Sequence, residues 1–419
     1  MVTWSCRSAS AATDAWARSG VMWLTGHADR APSVPIGEAA CLATDLAEHI
    51  RRAGAEGGLP VRVDGGRLLA ERAALTGGTR QGRVSVGGGC RLLPAADGWA
   101  AVSCVRPDDP ALWSAAIGHE LDERLPRRLA DWLATHPLAE LEERVALLGL
   151  AAGAVRERQA TNPMPKLGRP RSVRDMLVVD FSALWAGPLC AHLLGLAGAE
   201  VVKVELPSRP DGARFGSQAF YDLLHAGHRA VALDPSDRAG RTALQALVRA
   251  ADVVVEASRP RALARFGLDA AAEVERGCTW VSITAYGRSV DRVGFGDDVA
   301  AAGGLLAFDG DGAPVFCGDA IADPLTGLTA AALAMSEPED GRGVLREVAM
   351  ADVVAATVRG RTASTARVVP SGGGDGWQVD TAEGLVPVAV PVARTPAGAA
   401  PALGADTGAV LRRLGIAVP

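Results

Sequence analysis

The sequence predicts an α/β fold built on a parallel sheet. Residues 176–205, MLVVDFSALWAGPLCAHLLGLAGAEVVKVE, carry the signal, reading as strand, turn, apolar helix and second strand. Both strands are continuous apolar runs, the pattern of parallel strands covered on two faces. Pro188 stands just inside the helix start and Gly198 just past its end, the usual asymmetry of helix termini. The turn Ala186-Gly187-Pro188 lacks GxGxxG, so this βαβ unit is without the dinucleotide fingerprint and a nicotinamide cofactor is not expected.

Composition frames the remainder. At 419 residues the chain can bury two or three cores. Its 48% hydrophobic and 22% charged residues fit a soluble globular protein, here expected to be cytoplasmic. A net charge of -5 without a basic stretch gives no footprint for nucleic acid. No apolar run reaches membrane-span length, and the first twenty residues lack the charged start and apolar core of a signal peptide. The seven cysteines include no CxxC, which predicts incidental thiols in a reducing compartment and no metal site.

Two distant segments share a pattern. Asp14 is followed by Gly20 and Gly26, and Asp298 by Gly304 and Gly310, at identical offsets. Each segment continues through Ala-Pro to a Gly-acid-Ala step, Gly37-Glu38-Ala39 and Gly318-Asp319-Ala320. Gly87–Gly89 then precede Asp97-Gly98-Trp99, as Gly372–Gly374 precede Asp375-Gly376-Trp377. An internal duplication is the reading, against a background of Ala/Gly-rich bias. Amphipathic helices are expected at Arg128–Thr135 and Ala139–Leu148, and the proline-rich stretch 159–171 reads as a linker.

Ordered motifs between Val178 and Ala334 carry a family resemblance. They are Asp180-Phe181-Ser182 with Ala186-Gly187-Pro188, then Pro210-Asp211-Gly212-Ala213-Arg214, then Gly227-His228-Arg229 running to Asp234. Ala251-Asp252-Val253-Val254-Val255-Glu256 with Arg259-Pro260, Phe266-Gly267-Leu268, and Ser282-Ile283-Thr284-Ala285-Tyr286-Gly287 follow. Together they resemble the family III CoA-transferases, the CaiB/BaiF family. Asp97-Gly98-Trp99 and the helices to Leu150 are similar to that family's later half, here placed first, and Leu403-Gly404-Ala405-Asp406-Thr407 to its closing segment.

The resemblance implies a Rossmann-like parallel sheet domain plus a smaller α+β domain. Residues 1–158 are then a degenerate copy of the later half, 159–171 a linker, 172–345 the CoA-binding domain, and 346–419 a segment completing it. The implied activity is acyl-CoA:carboxylate CoA transfer through an aspartyl mixed anhydride and an aspartyl-CoA thioester. Its substrates are an acyl-CoA and a carboxylic acid, and its assembly an interlocked homodimer or a pseudo-dimeric single chain.

Gly296-Asp297-Asp298 matches the nucleophile motif, with Asp298 favoured and Asp297 an alternative register. A carboxylate at a helix start meets free N–H groups and the positive end of the dipole. Helix capping is the competing role for either residue. Asp14, the equivalent in the first copy, reads as a helix cap or a decayed site. Arg229 and Arg259 sit where the resemblance implies CoA contact. Arg214 is a further candidate, and Ala186 and Gly187 line the implied turn. Gly372–Gly374 resemble a mobile glycine loop. Two alternatives stay open. One is an α-methylacyl-CoA racemase, which needs a second acid–base group from His27, His49, His119 or His136. The other is a non-catalytic subunit that keeps the fold.

Overall fold

A computed structural model describes residues 8–156, 166–258, 260–360, 363–374 and 376–419. The centre of the second part is a six-stranded sheet. Its strands are β4 (Leu177–Asp180), β5 (Glu200–Glu205), β6 (Arg229–Ala232), β7 (Val253–Glu256), β8 (Thr279–Thr284) and, after the short hairpin β9 (Leu306–Phe308) and β10 (Pro314–Phe316), β11 (Val344–Ala349). The first part contributes β1 (Cys90–Ala95), β2 (Gly98–Ser103) and β3 (Ala152–Ala154), an antiparallel sheet of its own. All pairings of the central sheet are parallel, in the order β11-β8-β7-β4-β5-β6. The sheet's first strand in sequence, β4, therefore lies beside its fourth, β7, and the order in which strands are added reverses between them. Ligands of such sheets bind outside the carboxyl ends of the strands at that switch point.

The predicted βαβ unit forms β4, the helix Ala186–Leu196 and β5. Gly198 adopts φ +95° where the helix stops, a conformation glycine takes without a Cβ penalty. The helix is buried along most of its length because the helix Ala322–Ala334 lies across it. The approach is close: a methyl group on Gly327 would lie 2.6 Å from the Ala186 carbonyl oxygen. One apolar cluster runs from Trp16, Ile50 and Leu69 through Leu189 and Val281 to Leu328 and Val354. The first and second parts of the chain thus share a core.

The helices expected around Trp132 and Leu141 form at Leu125–Leu133 and Leu138–Leu148. Of the linker stretch, residues 159–165 lie outside the described residues. Its end is fastened, with Arg171 N–H on the Met335 carbonyl at 2.9 Å and its guanidinium on Thr279 Oγ1 at 2.7 Å. Among the described residues, no helix is long and apolar enough to cross a membrane.

The repeated segments pack crosswise. The first helix, Ala9–Ser19, lies on the late antiparallel sheet of β12 (Val368–Pro370), β13 (Trp377–Thr381) and β14 (Gly384–Pro387), while Gly296–Ala302 lies on β2 and β3. Gly20 and Gly304 have φ +84° and +86°. The second half of the sequence match needs a different register. Gly376-Trp377 leads into β13, and Asp375 is outside the described residues. The hairpin turn answering Asp97-Gly98 is instead Glu383-Gly384, since Ala95 pairs with Gly98 and Thr381 with Gly384.

Asp14 is not a helix cap. Ser8 caps that helix through the Ala11 N–H, so the helix has begun before Asp14, which lies inside it and binds Arg18 Nε at 2.8 Å.

Candidate active site

The helix Gly296–Ala302 begins just beyond the carboxyl end of β8, with Phe295 in extended conformation as its N-cap. Gly296 leaves room for the crowded start: a methyl there would lie 2.3 Å from the Ala320 carbonyl oxygen and 2.5 Å from Asp323 Oδ2. Asp297 and Asp298 follow in the first turn.

Asp298 is completely buried. Its Oδ1 accepts the Phe295 N–H at 3.0 Å and the Ser103 hydroxyl at 2.7 Å. Its Oδ2 is buried with no hydrogen-bond partner among the described residues. One oxygen thus completes the helix start, in the manner of a capping box, and the other is left over. A methyl on Gly294 would lie 3.3 Å from that second oxygen. Burial pushes the Asp298 carboxyl up to about 7, while the bonds from Ser103 and Phe295 pull the other way.

Asp297 turns the opposite way. Its Oδ1 accepts the Ala320 N–H at 2.8 Å. Burial, then the Asp319 charge, push it up to about 6, against the pull of Arg72, the Ala320 N–H and the Ser85 hydroxyl. Asp323, in the first turn of the helix Ala322–Ala334, is pushed up to about 7 by burial. Arg72 stands among these acids. Its Nε lies 2.9 Å from Asp319 Oδ2, its Nη2 also binds Asp319, and its guanidinium packs 4.9 Å from the Trp185 ring centroid. Burial works against its charge, but the Asp319 contacts together with the charges of Asp297 and Asp323 outweigh it and raise its pKa.

Three of these partners come from the first part of the chain: Arg72, Ser85 and Ser103. Ser85 and Cys90 close a tight turn around Gly87–Gly89, with the Ser85 N–H on the Cys90 carbonyl at 2.9 Å and the Cys90 N–H on Ser85 Oγ at 3.0 Å. Burial, and then the charges of Asp298 and Asp297, raise the Cys90 thiol well above its ordinary range. The glycine run beside the acids is therefore Gly87–Gly89. Gly372–Gly374 lie in the other sheet, between β12 and β13.

The expected CoA contacts are spread out. Ala186 and Gly187 open their helix at the carboxyl edge of the sheet, and a Cβ on Gly187 would lie 2.1 Å from Ser182 Cβ. Arg214 is gripped by Glu205, with Nε 2.9 Å from Oε1, and lies 4.7 Å from the Tyr221 ring. Arg229 opens β6 at the amino edge, exposed, 3.3 Å from Asp406 Oδ1. Arg259 is outside the described residues.

Three of the histidines named for a racemase are engaged elsewhere: His27 with Asp309 at 3.2 Å, His49 with Ser336 at 3.0 Å, His136 with the Trp132 carbonyl. Sequence reasoning missed Arg72, Ser85, Ser103 and Asp323. Asp319 was visible as part of a repeated Gly-acid-Ala step. Ser103 and Arg72 gave no signal, since they lie 195 and 247 positions from their partners.

Residues 173–379 match the profile of CoA-transferase family III. The chain is 31% identical over 176 residues to succinyl-CoA–D-citramalate CoA-transferase of Chloroflexus aurantiacus, covering 39% of this chain and 44% of that one. It is 32% identical over 164 residues to a formyl-CoA:oxalate CoA-transferase of Rhodopseudomonas palustris, covering 36% and 39%. A crystal structure of a CaiB/BaiF family protein from Brucella suis aligns at 27% identity with TM-score 0.41, over 46% of this chain and 56% of that one. The chain spans about half or less of the length of these curated relatives.

Proposed function

Because the chain belongs to CoA-transferase family III over residues 173–379, we propose that it transfers coenzyme A from an acyl-CoA thioester to a free carboxylic acid, with Asp298 as the covalent nucleophile. The observation that carries this reading is the unequal pair of Asp298 oxygens: Oδ1 holds two donors, and Oδ2 is buried with none.

The steps balance without any redox partner. Asp298 Oδ2 attacks the thioester carbonyl, the C–S bond breaks, and a mixed anhydride and CoA thiolate result. The thiolate attacks the aspartyl carbonyl and expels the first carboxylate, leaving an aspartyl-CoA thioester. The incoming carboxylate attacks that thioester and re-forms an anhydride with release of the thiolate. Attack of the thiolate on the new acyl carbonyl gives the product and frees Asp298. Covalent catalysis divides one hard acyl transfer into easier ones.

The surroundings suit a carboxylate nucleophile. A carboxyl titrating near 7 is more basic than an ordinary aspartate and still partly ionised at neutral pH. Asp297 is the weaker candidate, because its carboxylate already serves Ala320 and Ser85. The Gly87–Gly89 turn is suited to shielding the intermediates from water. We also read the chain as a pseudo-dimer by itself, since Arg72, Ser85 and Ser103 complete the Asp297–Asp298 site from the first repeat.

The relatives named above act on succinyl-CoA with D-citramalate and on formyl-CoA with oxalate, which makes small dicarboxylates the first acceptors to try. The test is isotope exchange of labelled succinate, glutarate or oxalate into succinyl-CoA or formyl-CoA. Exchange with parallel-line kinetics that is lost in Asp298→Ala supports the reading. Undiminished exchange in Asp298→Ala refutes it.

A further inference from the structure

We infer that Ser103 is a positioning residue for Asp298, its hydroxyl pinning Oδ1 so that Oδ2 is the oxygen that attacks. This rests on the transferase reading and adds to it a role for the first repeat.

The geometry is built to hold that hydroxyl still. Ser103 closes β2, and its N–H donates to the Ala151 carbonyl at 2.9 Å. Its own carbonyl accepts the buried Trp113 indole N–H, also at 2.9 Å. Main-chain bonds on both sides fix the backbone from which the buried hydroxyl projects. Cys90 is its direct partner across the antiparallel ladder, so strand geometry sets these two small side chains next to each other.

The charged and titratable groups around Asp298 come from both parts of the chain. Asp297 is on its own helix, Asp323 on the helix Ala322–Ala334, and Cys90 on β1, with Asp319 and Arg72 behind Asp297. Arg72 spends its guanidinium on Asp319. Ser103 is thus the side chain that donates to Asp298, and it is neutral. A hydroxyl steadies the ionised form without the charge neutralisation a guanidinium brings. With Oδ1 occupied twice, the carboxylate cannot rotate freely, and Oδ2 is the oxygen whose lone pairs carry no donor among the described residues.

The experiment compares wild type, Ser103→Ala and Ser103→Thr in succinyl-CoA/labelled-succinate exchange across pH 5–9. In Ser103→Ala, kcat at pH 7 falls about ten- to hundredfold, the cost of a hydrogen bond to a charged group. The acid limb of the profile moves to higher pH, and KM for succinyl-CoA changes less than about twofold. Ser103→Thr, which keeps the hydroxyl, recovers both rate and profile, separating the role from a folding defect. An unchanged rate and acid limb in Ser103→Ala overturns the inference while wild-type exchange leaves the transferase reading standing. So does a loss that threonine does not rescue. Absence of exchange in the wild type removes that reading and this role with it.

Discussion

Arg72 and Asp319 are joined by two hydrogen bonds although 247 residues separate them, with Nε 2.9 Å from Oδ2. Asp319 is almost wholly buried and Arg72 largely so. The pair ties the first part of the chain to the acidic centre of the second. Removing one partner of such a pair leaves an uncompensated buried charge. Arg72→Met is therefore expected to cost about 3–5 kcal/mol of stability in denaturant titration. The double variant Arg72→Met/Asp319→Leu should regain most of that loss. Equal instability of the two variants would contradict a compensated pair.

The pH dependence of catalysis follows from burial of the nucleophile. Asp298 reacts as the carboxylate, and its carboxyl titrates near 7 rather than in the ordinary aspartate range. Log kcat/KM for exchange should then rise with unit slope below about pH 7 and level above it. A profile flat down to pH 5 would mean that the ionisation of Asp298 does not limit the reaction.

Asp323 has the opposite consequence for stability. Burial raises its folded pKa to about 7, above the value of an unfolded aspartate. Between those values the folded state holds the proton more often than the unfolded state, so stability falls as pH rises through the window. Asp323→Asn removes that loss. The variant should be more stable than wild type by about 4 kcal/mol at pH 8, at ~1.4 kcal/mol for each of the roughly three pH units between the two values, with the difference closing at pH 3.5. Thermal melts at the two pH values read it out, and a gap of the same size at both would refute the assignment.

At the turn after β4, Gly187→Ala would drive a methyl to 2.1 Å from Ser182 Cβ. Ser182 also binds the buried Asp180 through its N–H at 2.8 Å, and its carbonyl accepts from Lys203 Nζ at 2.8 Å. Overpacking there should cost about 1–3 kcal/mol and lower the melting temperature. The same change at Gly372, which has nothing within 4 Å of an added methyl, should be close to neutral.

The parallel sheet was legible because its signal is local. The largely apolar runs expected as strands at 176–180 and 201–204, with Pro188 and Gly198 bounding the helix, specify a βαβ unit without reference to the rest of the chain. Gly296-Asp297-Asp298 was legible as a motif, but adjacent aspartates look alike in sequence. Their difference arises from which backbone and hydroxyl donors surround each, and these come from Ser85, Ser103 and Ala320. The repeat at Asp14 kept its glycines but not its role, since Ser8 starts the helix six residues before that aspartate. Arg214 shows a further limit. Nothing in the sequence signals that Glu205 holds its guanidinium.

The most direct test of the account is intact-protein mass spectrometry after incubation with succinyl-CoA and hydroxylamine, using wild type, Asp297→Ala and Asp298→Ala. Hydroxylamine converts an activated aspartyl anhydride or thioester to a hydroxamate of defined mass. One adduct is expected in wild type and in Asp297→Ala, with none in Asp298→Ala. An adduct that persists in Asp298→Ala and disappears in Asp297→Ala would contradict it.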